Sequence, residues 1–263
     1  AMKRYALIGH NIQYSFSPVV HQEIARLAKI DLQYDLMSIE PQSLPGAVNR
    51  LKQGYDGFNI TKPYKLDILP FLSINHSKTQ AVNTVKIADD ELIGYNTDGA
   101  GFLESLKYHN IQIHGACLIL GAGGAARTIA YELDKVCDVY IYNRTKQKAL
   151  DIIDELKLKN TQWADLDKIK PEIIVNCTVL GLNNEMCLPE GVRLDDARVF
   201  YDTIYNPPLT PFLKLGESLG KTAINGLGML FFQALEAQKI WNGIELNQEQ
   251  ISEALKNICA KVK

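Results

Sequence analysis

Through the first part of the chain, apolar runs of strand length alternate with longer stretches whose apolar residues recur at helical spacing. "RYALIGH" precedes "SPVVHQEIARLAKI", "LQYDLMSIE" precedes "PQSLPGAVNRLKQG", and "GFNIT" follows. That rhythm predicts a parallel sheet with crossover helices. "VNTVKIADDELIGYN" breaks it: two strand-like arms flank the polar "ADDE", which predicts a hairpin added to the same sheet. "DGAGFLESLKYHN" then predicts a bridging helix with Asp98 near its N-terminal end, where a carboxylate suits the helix dipole. A second run of βα units starts at "ACLILGAGGAARTIAYELDKV" and continues through "CDVYIYNRT", "KQKALDIIDELK", "EIIVNCT" and "VFYDTIY". The tail from "GMLFFQALEAQKIWNG" onward is helical with no strands left to cover, so it is expected to pack back onto the first domain. The predicted fold class is α/β in two domains, residues 1–100 with 227–263 and residues 101–226.

Composition narrows the partners. With 263 residues, 46% of them hydrophobic and 22% charged, the chain has enough apolar material for a real core. A formal net charge of −2 gives no basic footprint, so nucleic acid is not expected and a small molecule is. The longest apolar runs are too short and glycine-rich to span a bilayer, and "AMKRYALIGH" lacks the apolar core of a signal peptide, so the expected location is cytoplasmic, without membrane contact. Ala1, ahead of Met2, is set aside from the fold argument. Five cysteines without a CxxC pair fit reduced, buried thiols, and the five histidines show no metal-ligand spacing, so no metal is expected.

The first chemical motif is Gly121-Ala122-Gly123-Gly124-Ala125-Ala126, lying between a strand and a helix and matching G-x-G-x-x-G/A. Glycine lets the backbone turn tightly and approach a pyrophosphate, which rests on the unpaired N–H groups of the helix start. Twenty positions after Gly123 stands neutral Asn143, where an NAD-binding fold usually offers a carboxylate to the ribose 2′-hydroxyl. Arg144, Thr145 and Lys148 follow, a set of donors that suits a 2′-phosphate and favours NADP over NAD. Asp138 lies at the wrong end of the strand to reverse that preference.

A nicotinamide cofactor transfers hydride, so a proton must also move on or off an alcohol oxygen. Lys65 and Asp98 are the candidates, each following a strand among polar neighbours, Asn59 and Thr61 in one case, Asn96 and Thr97 in the other. Strand ends facing open space are where open α/β sheets place ligands.

Nine ordered stretches then carry a resemblance across nearly the whole chain: "YSFSPVVH", "FNITKPYK", "AVNT", "GYNTDGAGF", "LGAGGAAR", "NRTKQKA", "VNCTVLG", "YDTIYNPPLTPFL" and "NGLGMLFFQALEAQKIWNG". The sequence resembles the shikimate dehydrogenase family. The resemblance implies reversible NADP-dependent oxidation of shikimate to 3-dehydroshikimate, an N-terminal substrate domain, a Rossmann-type NADP domain, a cleft between them, and C-terminal helices returning to the substrate domain. Carried over residue by residue, it makes Lys65 and Asp98 the catalytic pair and leaves open whether Lys65 alone or the pair is the base. It assigns Ser15, Ser17 and Tyr205 to the substrate carboxylate, and Thr61, Asn83 and Gln233 to the ring hydroxyls. Asn59 is expected to face the polyol with them, and Lys62 to be solvated. It adds Thr178, at the nicotinamide end, and Gly226 to the cofactor set. The oligomeric state is expected to be monomer or homodimer.

Asn11, Tyr14, Gln80 and Val179 depart from the family pattern, Gln80 standing where glycine is usual. Tyr14 adjoins the serines, so substrate choice is the property these departures touch. The alternative within the family is a quinate/shikimate dehydrogenase with broader substrate or NAD use. The alternative from another class is a non-catalytic nucleotide-binding regulatory module, which would have no reason to retain Lys65 and Asp98.

Overall fold

A computed structural model describes residues 2–262. The chain forms two compact units, residues 2–101 with 230–261, and residues 102–229. The division falls after Gly101 and Met229, a few residues beyond the limits expected from the sequence.

The first unit runs β1 (Lys3–Gly9), α1 (Ser17–Ala28), β2 (Leu32–Ser38), α2 (Leu44–Gly54), β3 (Gly57–Ile60), β4 (Ile74–Asn75), β5 (Thr84–Ala88) and β6 (Glu91–Tyr95). Its sheet has the order β2-β1-β3-β5-β6-β4. β1 pairs in parallel with β2 and β3, while β5 runs antiparallel to both β3 and β6. The sheet is therefore a parallel β2-β1-β3 group extended by the expected hairpin, whose first strand β5 runs against β3 and whose chain turns back at Asp89 and Asp90. Both turn residues hold positive φ, 49° and 64°, as a tight hairpin turn requires and as aspartate tolerates. Gln80 holds φ 52°, so the side chain replacing the family's glycine sits in the left-handed region that glycine occupies most easily.

In the same unit, the tail supplies the rest of α7 (Leu227–Asn242) and all of α8 (Gln248–Cys259). Trp241 of α7 stacks on Tyr5 of β1 with centroids 4.3 Å apart and donates its indole N–H to the Val85 carbonyl at 3.0 Å. Gly57 permits that approach, since a Cβ there would lie 2.6 Å from the indole nitrogen. Asn247 opens α8 with a capping box closed by Gln250.

α3 (Asp98–Tyr108) carries the chain into the second unit, whose elements are β7 (Cys117–Leu120), α4 (Gly124–Leu133), β8 (Val139–Tyr142), α5 (Lys146–Leu156), β9 (Thr161–Trp163), β10 (Ile173–Asn176), β11 (Val199–Asp202), α6 (Pro211–Ser218) and β12 (Thr222–Ile224). The sheet order is β12-β11-β10-β7-β8-β9, all parallel, with the order reversing beside β7. This is the Rossmann arrangement. The central strand β7 is apolar throughout because it is buried on both faces: Cys117 and Ile119 enter one core cluster, Leu118 and Leu120 the other. The three-residue edge strands β9 and β12 are too short to leave a pattern in the sequence.

All five cysteines are free. Cys117, Cys177 and Cys187 are buried as expected, but Cys137 is half-buried and Cys259 exposed at the end of α8. Among the described residues no helix is long and apolar enough to cross a membrane, and no group of three or more His, Cys, Asp or Glu side chains is arranged to hold a metal ion.

Candidate active site

In the first unit, topology gathers the candidate chemistry at one edge of the sheet. β1 and β3 are parallel, so the segments after their C-terminal ends, bearing Ser15 and Thr61 with Lys65, leave on the same side. β5 is antiparallel to β3, so its N-terminal end, with Asn83 just before it, lies at that edge too. β6 reverses again and delivers Asn96, Thr97 and Asp98 there.

Lys65 Nζ donates to Asp98 Oδ2 at 2.5 Å, and the two side chains are 19% and 10% exposed. A charge pair this close and this far from water is held by short charge-assisted hydrogen bonding, yet it keeps an open face. Asp98 is the first residue of α3, and its own N–H donates to Asn96 Oδ1 at 3.0 Å. Its other carboxylate oxygen accepts from Asn83 Nδ2 at 2.8 Å. Asn83 spends its second amide hydrogen on Thr97 Oγ1 at 2.9 Å, and its Oδ1 accepts from the Thr97 N–H at 2.8 Å. A ring hydroxyl read by this amide would have to share it with Thr97.

Ser15 Oγ lies 3.2 Å from Ser17 Oγ and accepts from the Ser17 N–H, at the start of α1. Phe16 takes the N-cap position without a side-chain cap, and the Ser15 hydroxyl oxygen is the one that meets the first N–H of the helix. Tyr14, beside them, is 89% exposed. Thr61 is half-buried, and Gln233 lies on α7 with its amide donating to the Leu230 carbonyl at 2.8 Å. Among the described residues, neither of these two side chains bonds to the Lys65–Asp98 pair. Lys62 is exposed, as expected.

Asn59 differs from the expectation that it faces a polyol. It is buried, accepts from the Tyr34 hydroxyl at 2.7 Å, and donates to the Asn83 carbonyl and to Thr84 Oγ1 at 3.1 and 2.9 Å. Sitting inside β3, it points into the unit, where both its amide hydrogens and its oxygen are engaged. The sequence reading missed Tyr34 and Thr84. Their signal was weak: a tyrosine at an inward position of "LQYDLMS" and a threonine beside Asn83 in "AVNT".

In the second unit, Gly121 takes φ 107° straight after β7 and donates its N–H to the Tyr142 carbonyl at 2.8 Å, tying the glycine turn to the end of β8. A Cβ on Gly121 would meet Thr178 and the Cys177 backbone at 3.1–3.2 Å, whereas one on Gly123 would meet nothing within 4 Å. The open space at Gly123, ahead of the α4 N-terminus that begins at Gly124, fits the close approach of a pyrophosphate, with Ala122 and Ala125 on either side of it in sequence. Asn143, Arg144 and Thr145 form the β8–α5 connection; Arg144, Thr145 and Lys148 are exposed, and Asn143 Nδ2 donates to the Thr145 carbonyl at 2.9 Å. Those exposed cations suit a 2′-phosphate. Thr178 is held by Asn176, whose Oδ1 accepts from both its N–H and its hydroxyl. Gly226 approaches Thr203 so closely that a Cβ would fall 2.1 Å from the carbonyl oxygen. Tyr205 is half-buried in the segment after β11, so it belongs to the second unit and not to the unit of the two serines.

An α/β chain that offers a dinucleotide turn in one unit and a paired ammonium and carboxylate in the other has the parts of a nicotinamide-dependent oxidoreductase. The comparisons are more specific. Residues 7–85 match the model of the shikimate dehydrogenase substrate binding domain. A shikimate dehydrogenase (NADP(+)) of Caldicellulosiruptor saccharolyticus is 39% identical, with 99% of this chain and 100% of that protein covered. One from Ignicoccus hospitalis is 34% identical over 91% of this chain and 93% of its own. The crystal structure of shikimate 5-dehydrogenase from Thermus thermophilus in complex with NADP(H) and shikimate superposes with a TM-score of 0.89 at 32% identity, covering 98% of this chain and 100% of that one. The chain belongs to the shikimate dehydrogenase family.

Proposed function

We propose that this protein is an NADP-dependent dehydrogenase interconverting shikimate and 3-dehydroshikimate, a step toward aromatic amino acids. The observation that carries the reading is the 2.5 Å Lys65–Asp98 pair at the sheet edge of the first unit. NADP supplies the hydride acceptor or donor. In the oxidation direction the substrate hydroxyl passes its proton to the Lys65–Asp98 pair, and in reduction Lys65 returns it to the carbonyl oxygen. Asp98 orients the ammonium and balances its charge.

Ser15 and Ser17, with Tyr205, bind the carboxylate, and Thr61, Asn83 and Gln233 read the ring hydroxyls. Neutral donors suit a polyhydroxylated acid, because an analogue that leaves one of them unpaired is strongly rejected. The first unit is the substrate domain, a reading supported by the match of residues 7–85 to that domain's model. The second unit holds NADP on Gly121, Ala122, Gly123, Gly124 and Ala125, with Asn143, Arg144, Thr145 and Lys148 at the 2′-phosphate, Thr178 toward the nicotinamide, and Gly226 also in the cofactor set. We place the enzyme in the cytoplasm, as a monomer or homodimer.

The test is to mix the purified protein with shikimate or quinate, each with NADP⁺ or NAD⁺, and follow nicotinamide reduction. Shikimate with NADP⁺ is expected to be fastest; faster turnover of quinate with NAD⁺ would overturn the choice.

A further inference from the structure

We infer that Tyr34 and Thr84, which lie behind the Lys65–Asp98 pair, are positioning residues for it, acting through a buried chain of hydrogen bonds that runs in one direction. The inference rests on the dehydrogenase reading above. The chain passes from the Tyr34 hydroxyl to Asn59 Oδ1 (2.7 Å), from Asn59 Nδ2 to Thr84 Oγ1 (2.9 Å), from Thr84 to Asn83 Oδ1 (2.9 Å), and from Asn83 Nδ2 to Asp98 (2.8 Å), where Lys65 closes it at 2.5 Å. Asn59, Asn83, Thr84 and Tyr34 are all at most 6% exposed, so water does not compete for these bonds.

The direction follows from chemistry at each link. Asn59 Nδ2 also faces the Asn83 carbonyl at 3.1 Å; with the amide flipped, two oxygens would confront each other, so Oδ1 must point at Tyr34 and Tyr34 must donate. Burial raises the Tyr34 pKa well above its ordinary value of 10.0, which keeps that proton in place. Thr84 has one hydroxyl hydrogen. Its oxygen accepts from Asn59, and of the two acceptors within reach of its hydrogen, Asn83 Oδ1 at 2.9 Å is nearer than Thr97 Oγ1 at 3.4 Å, which directs the hydrogen to Asn83. Asn83 cannot flip either, because its Oδ1 also accepts from the Thr97 N–H at 2.8 Å and a flip would set oxygen against the Asp98 carboxylate. Asn83 therefore always offers Asp98 a donor, which leaves Oδ2 to Lys65. Tyr34 itself is held by its ring, stacked on His21 with centroids 4.2 Å apart.

A network that only stabilised the fold would affect melting and leave turnover by the folded enzyme alone. A positioning network sets the orientation of the proton-handling pair, so breaking it lowers kcat while KM stays nearly constant. Thr84→Val keeps the shape and removes the hydroxyl; it is expected to lower kcat about tenfold or more with the shikimate KM within about threefold. Thr84→Ser, which restores the hydroxyl, is expected to recover most of that loss, and Tyr34→Phe to lower kcat roughly three- to tenfold. Folded Thr84→Val with wild-type kcat, or Thr84→Ser as impaired as Thr84→Val, would overturn the inference. If Thr84→Val does not fold, Tyr34→Phe, which keeps the ring against His21, decides by the same kcat criterion.

A readout free of turnover separates this inference from the proposed function. The Asn83 side-chain amide, followed by NMR, is expected to exchange its hydrogens at least about tenfold faster in Tyr34→Phe than in the wild type. Unchanged exchange would sink the positioning chain, whereas a wild type inactive on shikimate with NADP⁺ would sink only the substrate assignment.

Discussion

Lys65 and Asp98 stand 33 positions apart in the sequence, yet their charged atoms lie 2.5 Å apart in the structure. Removing the ammonium takes away the group that returns a proton to the carbonyl oxygen and leaves Asp98 without its cationic partner. Lys65→Ala is therefore expected to lower kcat by about two to four orders of magnitude while the NADP⁺ dissociation constant, measured by fluorescence titration, stays within about twofold. An equal loss of cofactor affinity would argue that the lysine is structural. Asn143→Asp tests the other end of the chemistry. A carboxylate placed beside Arg144 would repel a 2′-phosphate and could accept from a ribose hydroxyl, so KM for NADP⁺ should rise about tenfold or more while that for NAD⁺ should not. A variant with an unchanged NADP⁺/NAD⁺ ratio would show that this connection does not read the phosphate. Both candidate sites were legible as residue types at given positions. That Asn59 turns inward was not, because its burial depends on Tyr34 and Thr84 from other strands.

The glycine turn shows how far local pattern goes at the scale of an element. β7, Gly121 and α4 follow one another as the motif predicts, since a buried apolar strand entering a helix through glycine leaves few alternatives. Gly121→Ala would force a side chain into φ 107° and push a Cβ against Thr178 and the Cys177 backbone. Urea unfolding of this variant should show a loss of about 1–3 kcal/mol together with weakened NADP⁺ binding. Wild-type stability would mean the turn relaxes to another conformation. The β5–β6 hairpin was equally readable, its two aspartates marking the turn. β9 and β12 were not, because strands of three residues gain their order from pairing with β8 and β11 rather than from their own sequence.

At the scale of the whole molecule, burial of His21 couples the first unit to pH. His21 is fully buried, stacked on Tyr34 and bonded through Nδ1 to Gln238 at 2.9 Å, with Trp241 also against its ring. Desolvation lowers its pKa from 6.5 to about 3, opposed weakly by Asn59. The folded pKa lies below the unfolded one, so between those values the unfolded chain binds the extra proton. The stability held above pH 6.5 is thus lost as pH falls from 6.5 toward 3. From pH 6.5 to 4.5 this one group should cost roughly 2–3 kcal/mol. His21→Phe keeps a ring for the stack and cannot take up a proton, so its urea-unfolding free energy should fall less steeply over that range than the wild type's. Equal slopes would show that His21 does not titrate in this way.

The sequence by itself determined the α/β class, the two runs of βα units, the dinucleotide turn with its neutral and basic partner segment, and the choice of Lys65 and Asp98, which the structure brings into contact, as the candidate pair. Those properties reside in local periodicity, in glycine and charge at fixed spacing, and in motifs whose order is preserved along the chain. Only the tertiary structure decided that the hairpin enters the first sheet with β5 antiparallel to β3, that this brings Asn83 and Asp98 to the edge where β3 releases Lys65, and that Tyr34, Asn59 and Thr84 form a line of donors behind them. Strand direction and amide orientation are fixed by pairing and hydrogen bonding between segments distant in sequence, and no single segment carries that information.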